Sequence, residues 1–416
     1  MASPLRVLVL SAVFPNPAQP IRGVFVKERM RRLANHCRLV VVAPIAWFPL
    51  DGLIRGVDRA AIPTRETRDG LCVYHPRFFC IPRYFKWLDG LFYVCSLLPF
   101  LWKLRREFPF DLIDAHFAYP DGMAAALLGK FFGCPVVITL RGSIVRLSTY
   151  RLHRPQLRWA LGAATRVLSV SEALKQVAVA LGIPAAKIRV IPNGVDTQSF
   201  FPMDQSEARR TLGLPLHRTI LLSVGTIDEH KGHHRVIGRL PVILSHHPDL
   251  LHVIIGVDRP GQSSRRTLER LIARLGLADH VFIAGERPHD EVPLWLAAAD
   301  LFCLATKSEG WPNAILEALA CGRPVVATRV GGVPEIVTRE AFGILVPPGD
   351  DDALANAIAQ ALKRRWDPEP MVAHARAHSW EAAALKVVEE FRRIAPPGAL
   401  LPAEARPSTR LHPTED

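Results

Sequence analysis

Two carboxylates stand eight positions apart in SEGWPNAILEALACG: Glu309 precedes Gly310 and Pro312, and Glu317 falls inside the apolar run that follows. Proline suits the first turn of a helix, where its missing N–H costs nothing, so Pro312 marks a helix start and Gly322 marks its end. The free amides near Asn313, Ala314 and Ile315 then form the positive end of a helix dipole, a seat for a phosphate. Glu309, ahead of the helix, can reach sugar hydroxyls beyond that phosphate. Glu317, about a turn and a half into the helix, can chelate a ribose diol, because one carboxylate accepts two hydroxyl hydrogen bonds. An acid on each side of a bound diphosphate is what a nucleotide-sugar requires. A solvated loop glutamate and a helix-face glutamate would show the same spacing, so spacing alone does not decide.

The elements that position these residues are legible as an alternation. Strands are expected at 6–12, 38–44, 110–116, 135–142, 166–171 and 187–196, with helices at 25–36 and 123–133. The pattern restarts with strands at 219–225, 251–256, 280–285, 301–306, 323–328 and 343–348, separated by helices. Apolar strands alternating with helices predict parallel α/β sheets. Two such sets predict two Rossmann-like, doubly wound domains facing a cleft, 1–196 and 197–378. In such sheets ligands bind at the carboxyl ends of the strands. A last helix is expected at 379–395, and the proline-rich polar tail 396–416 reads as disordered.

Composition bounds the function. The chain has 416 residues, 49% hydrophobic and 22% charged, enough for a substantial core. Its seven cysteines show no C-x-x-C pair, which suits a reducing cytoplasm better than a disulfide framework or a zinc site. No apolar run reaches the roughly 20 residues of a spanning helix, and LRVLVLSAVFPNP reads as a first buried strand. Residues 1–200 hold 27 Lys and Arg against 12 Asp and Glu, whereas the remainder holds 25 against 27. A one-sided basic domain meets something anionic. The stretch 78–108 sets aromatics beside Arg83, Lys86, Lys103, Arg105 and Arg106, as a peripheral anchor on an anionic membrane surface would, or as a buried helix with a basic end would. Nucleic acid is a poor partner, since no recognition motif appears. A nicotinamide enzyme is disfavoured because no G-x-G-x-x-G follows a predicted strand. The acidic run in GDDDAL precedes a helix and is read as an N-cap rather than a metal site.

SEGWPNAILEALACGRPVVAT, followed by GGVPEIV and GILVPPGDDDALANAI, resembles glycosyltransferase family 4, a retaining, nucleotide-sugar-dependent family with the GT-B fold. VIPNGVDTQSF resembles its inter-domain linker, SVGTIDEHKGHH its phosphate loop, and the SWE-containing last helix the one that crosses back to the first domain. The resemblance implies that Glu309 contacts the donor sugar, Glu317 the ribose, and Lys231 the diphosphate leaving group. It places Gly23 in a first-domain loop over the diphosphate and His116 at the acceptor or sugar. It implies front-face substitution, in which the departing phosphate helps deprotonate the acceptor hydroxyl. No metal is implied, and no cofactor besides the nucleotide-sugar donor as co-substrate.

Two positions depart from the family pattern: Thr226 follows Gly225 where many members carry Arg, and Arg141 stands where many carry His. The expectation is that Arg141 reaches the cleft and supplies part of the charge that Thr226 lacks, or else binds an acceptor phosphate or pairs with Asp121. The function expected is transfer of a sugar to a hydroxyl of a glycan or lipid-linked acceptor, in the cytoplasm or at the inner face of the membrane. The alternatives are a non-transferring GT-B enzyme (a nucleotide-sugar epimerase or a phosphorylase) and an inactive membrane-associated scaffold.

Overall fold

The computed structural model describes residues 4–49, 62–258 and 264–396; the tail expected to be disordered lies almost wholly outside them. The chain forms two compact units, one of residues 1–192 with 383–416, the other of 193–382. The division therefore falls four residues before the expected boundary, and the return falls inside the last helix, Trp380–Ile394, rather than ahead of it.

In the first unit, an eight-stranded sheet runs in the order Ile188–Val190, Arg166–Ser169, Val136–Leu140, Leu112–His116, Arg6–Leu10, Arg38–Val42, Leu71–Tyr74, Arg65–Arg68. All neighbours are parallel except the last pair. The central strands RVLVL, LIDAH and VVITL are buried almost throughout, as strands covered on both faces must be. The last two strands of this order, Leu71–Tyr74 and Arg65–Arg68, were not expected: RETR has no apolar alternation and acquires its strand form only by pairing with Leu71–Tyr74. A separate two-stranded sheet joins Ile45–Trp47 to Arg77–Phe79.

The second unit has six parallel strands in the order Val281–Gly285, Leu250–Ile255, Thr219–Val224, Leu301–Leu304, Val325–Thr328, Gly343–Val346. Numbered along the chain this is 3-2-1-4-5-6, the doubly wound order whose direction reverses between Thr219–Val224 and Leu301–Leu304. Its core joins Leu221, Ile254, Leu301 and Val326 of the strands to Val236, Ile237, Leu240 and Ile358 of the covering helices.

The stretch 78–108 resolves into the strand end at Phe79, a short turn Lys86–Leu88 and the helix Asp89–Glu107. By length and composition Lys86–Glu107 is apolar enough to cross a membrane, which the sequence expectation had not allowed. Here Tyr93, Leu97, Leu101 and Leu104 form a buried stripe at helical spacing, while Leu91 and Trp102 are exposed. The acidic run behaves as an N-terminus: Asp350 Oδ1 accepts from the Ala353 amide at 2.8 Å, and Asp351 and Asp352 pair with Arg235 and Arg239.

One buried guanidinium fastens the first helix of the second unit, Gln205–Leu212, to its sheet. Arg209, 5% exposed, donates to the carbonyls of Ala298, Leu216 and Arg218 and to Asp300 Oδ2 at 2.7 Å. Asp300 also accepts from the Ile220 amide at the start of the central strand. Arg209→Ala should lower unfolding free energy by about 3 kcal/mol, because several buried acceptors lose their donor together. A urea titration checks this; an unchanged midpoint would show that the network contributes nothing.

Candidate active site

Site residues gather at the carboxyl ends of the central strands in each unit. In the second unit the chain leaves Thr219–Val224 through Gly225 into a loop closed by Asp228. Asp228 Oδ1 accepts from the Lys231 amide at 3.0 Å, and its Oδ2 accepts from the Thr226 hydroxyl at 2.9 Å. Gly232, at φ +76°, begins the helix His233–Leu244; a β-carbon there would lie 2.0 Å from the Ala305 carbonyl oxygen, so only glycine lets these two loops touch. The aliphatic stem of Lys231 lies over Gly225.

This seats the Lys231 ammonium against the loop that follows the neighbouring strand, Leu301–Leu304. Lys231 Nζ donates to Glu309 Oε1 at 2.6 Å, with the two side chains 21% and 12% exposed. His230 reinforces the same junction, its Nε2 meeting the Ser308 carbonyl at 2.7 Å and its own carbonyl accepting from Thr306 and Lys307. The helix after Glu309 runs Asn313–Ala320, with Pro312 at its cap position, one residue earlier than expected of a first-turn proline. Asn313 Oδ1 accepts from Asn193 Nδ2 at 3.0 Å. Ile315 is buried and Ala314 half-buried. Glu317 is nine-tenths buried and its Oε1 meets His289 Nε2 at 3.2 Å. The fold thus gathers Lys231, Glu309, Asn313, Ala314, Ile315 and Glu317 about the point where strand order reverses, where open α/β sheets take their ligands. A cation fixed against a carboxylate, followed by free helix amides, can hold a phosphate while offering carboxylate oxygens to hydroxyls.

Sequence reasoning missed His289 and Asp228. An aspartate three residues ahead of Lys231, where a helical turn begins, is a readable cap signal; nothing in the sequence ties His289 to Glu317, 28 positions away.

In the first unit, Gly23 and Arg141 follow the strands Arg6–Leu10 and Val136–Leu140, and His116 ends the strand between them, Leu112–His116. Gly23, at φ +78°, caps the helix Val24–Leu33, and a β-carbon would fall 2.3 Å from the Val13 carbonyl oxygen. His116 and Arg141 are held inside the unit. Arg141, 4% exposed, stacks its guanidinium 4.7 Å from the Phe25 ring centroid and donates to His116 Nδ1 at 3.1 Å. That donor requires the His116 proton on Nε2, which lies 3.2 Å from Asp114 Oδ2. Burial holds this imidazole below its ordinary pKa despite Asp114. Direct contact of either side chain with a sugar therefore requires it to leave these bonds. Asp121 accepts instead from Tyr93 Oη at 2.8 Å and from the Ala12 amide at 2.5 Å, and burial pushes its carboxyl up to about 7.

Comparison with known proteins bears on this arrangement. Residues 24–199 match the model of glycosyltransferase family 4, and residues 204–378 that of the glycosyl transferases group 1. A Bacillus subtilis protein assigned to teichuronic acid biosynthesis as a glycosyltransferase is 30% identical over 88% of this chain and 91% of its own. A D-inositol 3-phosphate glycosyltransferase of Geodermatophilus obscurus is 32% identical over 99% of this chain and 94% of its own. Among solved structures, sucrose-phosphate synthase from Thermosynechococcus elongatus aligns with TM-score 0.77 at 23% identity, covering 94% of this chain and 98% of that one. Anabaena HepE in complex with UDP-glucose aligns with TM-score 0.71 at 21% identity, covering 94% and 100%. Fold and site define a glycosyltransferase built on the two Rossmann-like domains of the GT-B fold. The chain belongs to glycosyltransferase family 4.

The buried imidazoles give the second unit a pH response. Burial lowers His233, whose Nε2 meets the Thr226 carbonyl at 3.2 Å, to about 4, and lowers His252, bonded to Ser223, to about 3. Between these values and the ordinary 6.5 the unfolded chain binds more protons, so stability present above pH 6.5 is lost as pH falls, by about 2 kcal/mol per imidazole at pH 5. Asp121 runs oppositely: its raised value means stability is lost as pH rises from about 4 towards 7. Thermal midpoints from pH 5 to pH 8 should fall less on acidification in His252→Gln than in wild type, and more in Asp121→Asn; parallel curves for all three would refute these assignments.

Proposed function

We propose that this glycosyltransferase is a retaining enzyme that takes a sugar from a nucleotide-sugar donor and places it on a hydroxyl of a glycan or lipid-linked acceptor, in cell-surface polysaccharide or glycolipid synthesis. The Lys231–Glu309 pair at 2.6 Å, at the reversal of the second sheet, carries the reading. Lys231 and the amides of Asn313 to Ile315 take the diphosphate, Glu309 takes hydroxyls of the transferred sugar, and Glu317 takes the ribose diol. As the bond from the anomeric carbon to the phosphate oxygen breaks, charge gathers on that oxygen, which Lys231 stabilises. The acceptor hydroxyl attacks from the same face and passes its proton to the departing phosphate. Catalysis is then positioning plus stabilisation of the leaving group, with no general base and no metal among the acting groups. HepE, as named, binds UDP-glucose, which supports a nucleotide-sugar donor here.

The location proposed is the cytoplasm, with peripheral attachment to the anionic inner face of the membrane. The seven cysteines stand as free thiols, as a reducing compartment permits. Tyr84, Phe85, Trp87, Leu91 and Trp102 are exposed on the first unit, with Arg83, Lys103 and Arg106 exposed among them. Aromatic rings with interleaved cations match the chemistry of a charged lipid interface.

Wild-type protein should release nucleoside diphosphate from its donor in an acceptor-dependent manner, with chelator present. Lys231→Ala should lower kcat by about a hundredfold, as loss of one charge stabiliser does elsewhere. Glu317→Ala should act mainly on donor KM, by about tenfold for one charge-assisted hydrogen-bonding group. Conversion of the donor to an epimer without acceptor would replace this reading with the epimerase one, and binding without turnover would replace it with the scaffold. In a separate experiment, co-flotation with phosphatidylserine vesicles should weaken as salt rises and fail for Phe85→Ser/Trp102→Ser; no flotation at low salt removes the membrane proposal.

A further inference from the structure

The imidazole of His289 is placed by its own surroundings. It stands on the loop between the strand Val281–Gly285 and the helix Val292–Ala298. That loop is closed as a turn: the Glu291 amide donates to the Pro288 carbonyl at 3.0 Å, and the Val292 amide to the His289 carbonyl at 3.3 Å. The ring packs on Phe200, itself buried, with the two centroids 5.4 Å apart. Glu317 is the adaptable partner. A glutamate side chain turns about several bonds, and holding it still costs rotamer entropy. Among the described residues its carboxylate takes one hydrogen bond, at Oε1 from His289 Nε2 at 3.2 Å. A carboxylate only accepts, so Nε2 carries the proton. Oε2 takes no hydrogen bond among the described residues and is not sealed from solvent. The bond therefore decides where the carboxylate points rather than where the loop lies.

We propose that His289 is a positioning residue for the donor's ribose: by holding Oε1 of Glu317 it presents Oε2 to the hydroxyls, so that selection of a ribonucleotide over its 2′-deoxy form depends on this histidine acting through Glu317. This rests on the nucleotide-sugar reading above, in which Glu317 takes the ribose diol. Without His289, a carboxylate nine-tenths buried has no donor; it turns towards solvent or is held neutral, and a fixed acceptor is lost either way. With His289 in place, the glutamate loses its rotamer freedom on folding rather than on binding, which is preorganisation. A role confined to pinning the loop fits less well, because the turn and Phe200 already hold it.

The test uses the full chain and whichever of UDP, ADP or GDP binds wild type, paired with its 2′-deoxy form, in isothermal titration calorimetry. Wild type should bind the ribonucleotide about tenfold more tightly, the difference expected of one hydrogen bond to a charged group. His289→Phe, which keeps a ring against Phe200, should bring the two affinities close together. His289→Ala should do the same, so the comparison does not hang on the folding of one variant. His289→Gln, whose side-chain N–H can reach the same oxygen, should restore most of the preference. Glu317→Ala should abolish the preference, and adding His289→Phe to it should weaken binding no further, because both changes act through one carboxylate. A preference that survives in His289→Phe and His289→Ala but not in Glu317→Ala, or additive losses in the double variant, overturns this inference alone. A preference that Glu317→Ala leaves intact removes the ribose role of Glu317 and the inference with it. Failure of wild type to bind any of the three nucleotides sinks the nucleotide-sugar reading itself.

Discussion

The ion pair between Lys231 and Glu309 is the constraint around which the second unit is arranged. Neither partner belongs to a regular strand or a long helix. Each sits on a loop leaving one of two parallel neighbours, so the pair forms only because Thr219–Val224 and Leu301–Leu304 lie side by side. Gly232 lets the two loops meet at backbone distance, and Asp228 holds the lysine amide from beneath. A cation beside a carboxylate is stable here without being fully desolvated, since both side chains keep some exposure. It can therefore exchange its carboxylate for phosphate oxygens at little cost, which a fully buried pair could not do.

The first unit uses charge differently. Arg29, Asp114, His116 and Arg141 lie in the interior behind the strand ends, with Arg29 donating to the Ile191 carbonyl at 3.2 Å. Burial lowers Arg29 to about 10, and it lowers Arg141 as well. Charges held this deep are retained only when hydrogen bonds and opposite charges compensate their lost hydration. The arrangement fixes the ends of Leu112–His116 and Val136–Leu140 and sets the tautomer of His116, so a replacement of the usual histidine by Arg141 is accommodated by a partner that can only accept from it.

The uneven charge of the sequence acquires a location from the fold. The basic excess lies in the unit that also carries the exposed rings of Tyr84, Phe85, Trp87 and Trp102, whereas the near-neutral half holds the carboxylates suited to hydroxyls. The functions proposed for the two units, long-range attraction to an anionic surface and short-range recognition of a neutral sugar, call for these opposite compositions.

The central strands of both sheets were legible in the sequence because their burial on two faces leaves continuous apolar runs, and the helix start at Asp350 was legible because a cap is local chemistry. Glu309 and Glu317 could be read from their own neighbourhood, since a loop, a proline and a helix start lie within a few residues of both. The edge strand RETR, the meeting of His289 with Glu317 and the enclosure of Arg141 could not be read. Each depends on which distant segment lies alongside, and a side chain carries no record of its neighbour across the sheet. Sequence by itself determined the elements, their alternation and the residue types at the strand ends. Only the tertiary structure decided that Lys231 touches Glu309 and that Arg141 faces inward, because packing of distant segments sets both distance and desolvation.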